Sequence, residues 1–129
     1  MEEMPLEQSL EEIGHKILVL TRNELYMKMR FMDVALSAFY YVQDFSVDLL
    51  ATDGETMYFN GQMLGGEFRQ NRIGVNRAYL HLVLHCIFRH VFRRNGRDEI
   101  LWNLAADIAV ESVIDDWNLP NIRKSQSWL

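Results

Sequence analysis

The chain has 129 residues, enough for one domain with a core and too few for two ordinary ones. Apolar residues make up 49% and charged residues 24%, which excludes a disordered or low-complexity chain. A single cysteine excludes an intrachain disulfide framework, and a net charge of -5 disfavours a nucleic-acid partner.

The N-terminus, Met1-Glu2-Glu3-Met4, is acidic, unlike the basic start of a signal peptide. Charges interrupt every apolar stretch before the roughly 18 residues a membrane helix needs. The sequence therefore reads as one soluble, cytoplasmic domain over residues 1–129 with no membrane partner. Its charge is uneven. Residues 1–68 carry four basic and twelve acidic side chains. Residues 69–97 carry Arg69, Arg72, Arg77, Arg89, Arg93, Arg94 and Arg97 with no acid. This middle block is either neutralised by its acidic flanks within one fold or forms a basic face for an anionic partner.

Leu6, Leu10, Ile13, Ile17, Leu20 and Leu25 recur at helical spacing over residues 6–29. Gly14 weakens that pattern, and Thr21-Arg22-Asn23 suggests a break and a fresh helix cap. The apolar run from Met29 to Tyr40 suits another buried helix within residues 29–42. Phe45, Val47 and Leu49 then alternate with polar residues as a strand does. Thr52-Asp53-Gly54-Glu55 is a turn signal, and Thr56–Asn60 a second strand, giving a β-hairpin over about 45–60. Gly65-Gly66 marks a break in the segment 61–72. Residues 75–94 form the clearest helix, apolar on most sides and hence buried, with Cys86 as a small core residue and Asn95-Gly96 as its stop. Asp98 caps a last helix running to about Trp117, which Asn118-Leu119-Pro120 ends. Tyr40, Tyr41, Phe88, Phe92 and Trp102 read as core aromatics.

Three of the four histidines fall within ten residues. His81 and His85 lie about 40° apart on one helix face, so both imidazoles can reach one ion. His90 points about 140° from His85 unless the helix ends or bends first. A zinc site needs a further ligand. An antiparallel return at Asn95-Gly96 sets Asp107 level with residue 85 and Glu111 level with residue 81. Asp107 is the better candidate, because it stands alone among Leu104, Ala105, Ala106, Ile108, Ala109 and Val110, where an unpaired carboxylate is costly. The same three groups are also compatible with a hydrogen-bonded core pair that holds no metal.

The stretch Tyr79-Leu80-His81-Leu82-Val83-Leu84-His85-Cys86-Ile87-Phe88-Arg89-His90, followed by Leu101-Trp102-Asn103-Leu104-Ala105-Ala106-Asp107, resembles the bacterial putative metallopeptidase domain that precedes a von Willebrand A-like domain. That family carries HExxH, a histidine five residues on, and a "WNxAAD" segment. Ala51-Thr52-Asp53-Gly54 and Met57-Tyr58-Phe59-Asn60 are similar to its hairpin. The resemblance covers about residues 15–119. It implies a zincin-like α+β fold, mostly helical, with the hairpin packed near the HxxxH helix. It also implies zinc bound by His81 and His85 with Asp107 as third ligand, and a von Willebrand A-like neighbour.

One position departs from the pattern. Leu82 stands where the family has the glutamate that acts as general base on water at the metal. Positioned acid–base catalysis contributes about 10²- to 10⁴-fold, and leucine can move no proton. The resemblance thus implies a metal-binding domain with peptidase activity lost or weakened, engaging a peptide or protein partner. Three alternatives stand beside it. One is an active metal-dependent hydrolase with another base, Glu111 being in reach. Another is a metal-dependent RNA-processing protein, which the arginine block favours and the "WNLAAD" segment does not. The last is a non-catalytic helical interaction domain.

Overall fold

The computed structural model describes residues 6–91, 99–117 and 119–122. Helix α1 spans Leu6–Lys28. A 3-10 turn at Arg30–Met32 leads into the short α2, Asp33–Leu36. Strands β1 (Tyr40–Gln43), β2 (Leu50–Thr52) and β3 (Thr56–Phe59) follow, then α3 (Gly61–Gln70), α4 (Arg72–Val91) and α5 (Glu99–Trp117). The architecture is α+β and mostly helical, as expected.

Helix α1 runs unbroken through Thr21-Arg22-Asn23, against the expected break. Thr21 lies on the face that buries Gly14, Ile17, Leu18 and Leu25, so it belongs to the core side rather than to a cap. Gly14 is the contact point with the sheet. A Cβ there would stand 2.3 Å from Phe59 Cε2, so only glycine lets the ring approach.

The expected helix over residues 29–42 is also corrected. Only the 3-10 turn and one turn of α-helix form, and Tyr40-Tyr41-Val42-Gln43 becomes β1. Strand β1 pairs in parallel with β3, Tyr40 opposite Thr56 and Gln43 opposite Phe59. Strand β2 pairs antiparallel with β3, Leu50 opposite Phe59 and Thr52 opposite Met57, so the order is β1-β3-β2. Tyr40 is 75% exposed, not a core residue. Tyr41 packs partly buried against the core.

The hairpin exists, but its first strand is Leu50–Thr52 rather than a segment starting at Phe45. Two side chains hold residues 44–49 as a loop. Asp44 Oδ1 accepts from Ser46 N at 2.8 Å and from Ser46 Oγ at 2.6 Å. Asn60 Nδ2 donates to the carbonyls of Phe45 (3.3 Å) and Val47 (3.2 Å). Those carbonyls are spent before a ladder can form. The hairpin turn behaves as its composition demands. Gly54 takes φ +104°, Asp53 Oδ1 accepts from Glu55 N (3.0 Å) and Thr56 N (2.8 Å), and Tyr58 Oη donates to Asp53 Oδ2 at 2.9 Å. The backbone donors of Thr56 and Glu55, then the Tyr58 hydroxyl, hold the Asp53 carboxyl below its usual range.

Helix α3 continues through Gly65-Gly66 without a break. Asn60 starts it, accepting from Met63 N at 3.3 Å. Asn71 ends it and starts α4, its Oδ1 accepting from Gly74 N at 3.0 Å. Helix α4 therefore begins at Arg72, three residues before the expected start. Its Val75, Tyr79, Leu80, Val83 and Leu84 join Leu18, Leu25, Met57, Phe59 and Leu64 in the core. Fully burying a side chain of this kind contributes about 1.5–3 kcal/mol. Burial pushes the Tyr79 hydroxyl pKa up, followed by the Tyr41 neighbour. The neutral group accepts from Tyr41 Oη at 2.7 Å and donates to the Leu36 carbonyl at 2.6 Å. This chain ties α4 to β1 and α2 two residues before His81. Cys86 is half-buried.

The Asn95-Gly96 stop, the Asp98 cap, Phe92, Trp128 and the tail after Ile122 lie outside the described residues, as do the side chains of Phe88, His90 and Trp102. No helix among the described residues is long and apolar enough to cross a membrane.

Candidate metal centre

Helices α4 and α5 run antiparallel, and the contacts between them form a ladder. Arg77, His81 and His85 occur at four-residue steps on α4, while Asp107, Glu111 and Asp115 occur at four-residue steps on α5. Such residues line one helix face. Facing in opposite directions, they meet pairwise. His85 Nε2 lies 2.8 Å from Asp107 Oδ1, His81 Nδ1 lies 2.8 Å from Glu111 Oε1, and Arg77 donates to Asp115 Oδ1 at 2.8 Å. The heights expected from a turn near residue 96 are the observed ones.

Helix α5 buries Ala106, Val110 and Ile114, and its Val113 and Trp117 pack partly buried against the core. Leu104 and Ile108 on the same helix are exposed. Asp107 is accordingly half-exposed, with 52% of its side chain accessible, rather than enclosed in apolar surroundings. Ala106 alone of the three alanines lies in the interface.

His81, His85 and Asp107 each offer one ligand atom, and all three atoms lie within 4.8 Å of one another. Asp107 Oδ1 is 3.1 Å from His81 Nε2 as well as 2.8 Å from His85 Nε2. The two rings are stacked, with centroids 5.8 Å apart and planes at 29°. A tetrahedral zinc with ligand atoms at about 2.0–2.2 Å sets those atoms about 3.3–3.6 Å apart. Two of the three separations therefore need to open by only a few tenths of an ångström, and the exposed Asp107 side chain is free to do so. Two imidazoles and a carboxylate are also the donor set that zinc favours when a fourth position stays open. The residues present fit the ion.

The helix does not end before His90 but continues to Val91.

Sequence reasoning missed Arg77, which it placed in a general basic block. The side chain is almost fully buried. Its Nε donates to Glu111 Oε2 at 2.9 Å, a terminal nitrogen donates to the same oxygen, and the other donates to the Ile122 carbonyl at 3.1 Å. Burial opposes ionisation of Glu111. The hydrogen bonds from His81 and Arg77 outweigh it and hold the carboxyl below its usual range. The signal for Arg77 was available as one further four-residue step before His81, opposite Asp115. Arg72 is likewise committed, paired with Glu24 at 2.9 Å.

A cleft of about 360 Å3 opens beside the ligands, between Leu49-Leu50 and Ala78, His81, Leu82 and Glu111. Leu82 also packs, partly buried, against the core. At the position where the resemblance expects a proton-transferring carboxylate, the cleft wall is apolar.

This fold and side-chain set define an α+β domain with a candidate two-histidine, one-carboxylate metal centre between antiparallel helices. Residues 20–126 match the family described as "Putative metallopeptidase domain", and the chain belongs to that family. No curated protein and no solved structure matches it significantly.

Proposed function

We propose that this chain is a zinc-binding member of its family in which peptide hydrolysis is lost or weakened, serving in the cytoplasm as a binding module for a peptide or protein segment. The observation that carries the reading is the convergence of His81 Nε2, His85 Nε2 and an Asp107 carboxylate oxygen within 4.8 Å. Zinc at such a site supplies Lewis acidity toward an oxygen of the bound molecule. The chain's own residues supply position but little proton transfer. Leu82 has no titratable group, so the wall beside His81 can exclude water and pack apolar groups without moving a proton.

The peptide partner is supported by the sheet. Among the described residues strand β2 pairs with β3 alone, which leaves it at the edge of the sheet, and Leu49-Leu50 line the cleft. An extended segment can add to such an edge through main-chain hydrogen bonds. A von Willebrand A-like domain, implied by the resemblance, is a proposed partner of the same kind.

Elemental analysis of the purified protein and zinc titration by calorimetry test the reading. One zinc per chain is expected, with binding abolished in His81→Ala and Asp107→Ala. A chain that stays metal-free after zinc, cobalt and nickel addition refutes it.

A further inference from the structure

His81 is held at both ring nitrogens. Nε2 faces the ligand cluster, and Nδ1 is 2.8 Å from Glu111 Oε1. A histidine that ligates through Nε2 keeps its proton on Nδ1, and that proton needs an acceptor to fix tautomer and ring rotation. Glu111 is that acceptor. It does not choose its own position, because Arg77 grips its second oxygen with two guanidinium nitrogens. Arg77 is fixed in turn by Asp115 at 2.8 Å and by the Ile122 carbonyl at 3.1 Å.

We infer that Glu111, clamped by Arg77, is a positioning residue that presents His81 Nε2 to the metal and sets the affinity of the site, rather than a general base standing in for the glutamate absent at position 82. The inference rests on the metal-site reading. A carboxylate base needs an oxygen free to take a proton from water. Here Oε1 is spent on His81 and Oε2 on Arg77. The carboxylate is partly exposed, at 34% of its side chain, with Oε1 turned to His81 and Oε2 to Arg77. The arrangement is a carboxylate–histidine pair with its own arginine buttress. Such outer partners typically change metal affinity by about 10- to 100-fold.

The test measures zinc affinity of the full chain by competition with a chromophoric chelator, together with thermal unfolding and nitrogen NMR of His81 in the zinc-loaded protein. The wild type is expected to show His81 with Nδ1–H and a ligated Nε2. Glu111→Ala is expected to weaken zinc binding about 10- to 100-fold and to lose the protected Nδ1–H signal. Glu111→Gln, which keeps a carbonyl acceptor but loses the charge, should fall between the two. Arg77→Lys, which keeps the charge but not the fork, should weaken binding in the same direction and keeps the inference testable if Glu111→Ala does not fold. A merely structural role would lower the unfolding temperature and leave affinity and the His81 signals unmoved. A folded Glu111→Ala that binds zinc within about twofold of wild type overturns this inference alone. A wild type that binds no metal overturns the metal reading and this inference with it. Residual peptide cleavage that Glu111→Gln abolishes without loss of zinc also overturns it, in favour of the base.

Discussion

Gly14→Ala is the sharpest test of how α1 seats on the sheet. The position lies inside α1, where alanine is preferred over glycine by about 1 kcal/mol on helix propensity alone. Propensity therefore expects stabilisation. Packing expects the reverse. The added Cβ would stand 2.3 Å from Phe59 Cε2 and 2.6 Å from Cδ2, against an optimum of about 3.5–4.0 Å between carbons. Phe59 is fully buried and its backbone is fixed between Gln43 and Leu50, so the ring cannot retreat without moving the sheet or the helix. That puts the cost at the upper end of the ~1–3 kcal/mol typical of overpacking, and the net loss at about 2 kcal/mol. Urea unfolding followed by circular dichroism reads it directly. Phe59→Leu removes the two outermost clashing ring carbons, so adding Gly14→Ala on that background should cost much less. The difference is a coupling energy of the sign expected for residues in contact. If Gly14→Ala raises stability, or costs the same with and without Phe59, the reasoning fails.

Gly66 lies inside α3 with open space around a would-be Cβ, so Gly66→Ala should stabilise by about 0.5–1 kcal/mol in the same unfolding assay. Asp53 has a folded pKa below its ordinary 3.8, so its contribution is present above that value and lost as pH falls through the folded pKa. Unfolding of wild type and Asp53→Asn should accordingly differ near neutral pH and converge in strong acid; a difference independent of pH would contradict the turn's hydrogen bonding. Leu82→Glu places a proton-transferring group on the cleft wall, and hydrolysis of an unstructured peptide by the zinc-loaded variant should rise toward the ~10²- to 10⁴-fold that such catalysis supplies. A zinc-binding Leu82→Glu protein with no gain would mean that more than the carboxylate is missing.

The centre was legible because its geometry is one-dimensional. Two long helices, a four-residue period on each and one turn between them determine which residues meet, and nothing tertiary has to be known. The sheet was not legible in the same way. Tyr40-Tyr41-Val42 has the aromatic and β-branched composition of a strand, but it follows an apolar run that reads equally as helix. What decides is the parallel pairing of Tyr40 with Thr56, sixteen positions away. Residues 45–49 mislead in the opposite sense, since their alternation is real and the side chains of Asp44 and Asn60 nonetheless keep them out of the ladder. The apolar neighbours of Asp107 in sequence imply burial, whereas the structure leaves its side chain half-exposed, with Oδ1 facing both histidines.

Leu82 belongs to both the cleft and the core. It follows His81 in the chain, lines the cleft and packs against the core, so a side chain with no titratable group adds apolar contact to α4. A glutamate there would have to place its carboxylate at the mouth of the cleft, within reach of a ligand field already holding Asp107 and Glu111. Among the described residues, the acids hydrogen-bonded to the two histidines are Asp107 and Glu111 of α5. One of them, Glu111, is neutralised by Arg77, and the other, Asp107, faces the two Nε2 atoms. A site built this way turns Glu111 to histidine presentation and Asp107 Oδ1 to the two histidines. The lack of a titratable group at position 82 and the apolar contact made there are consequences of the same side chain at the same cleft.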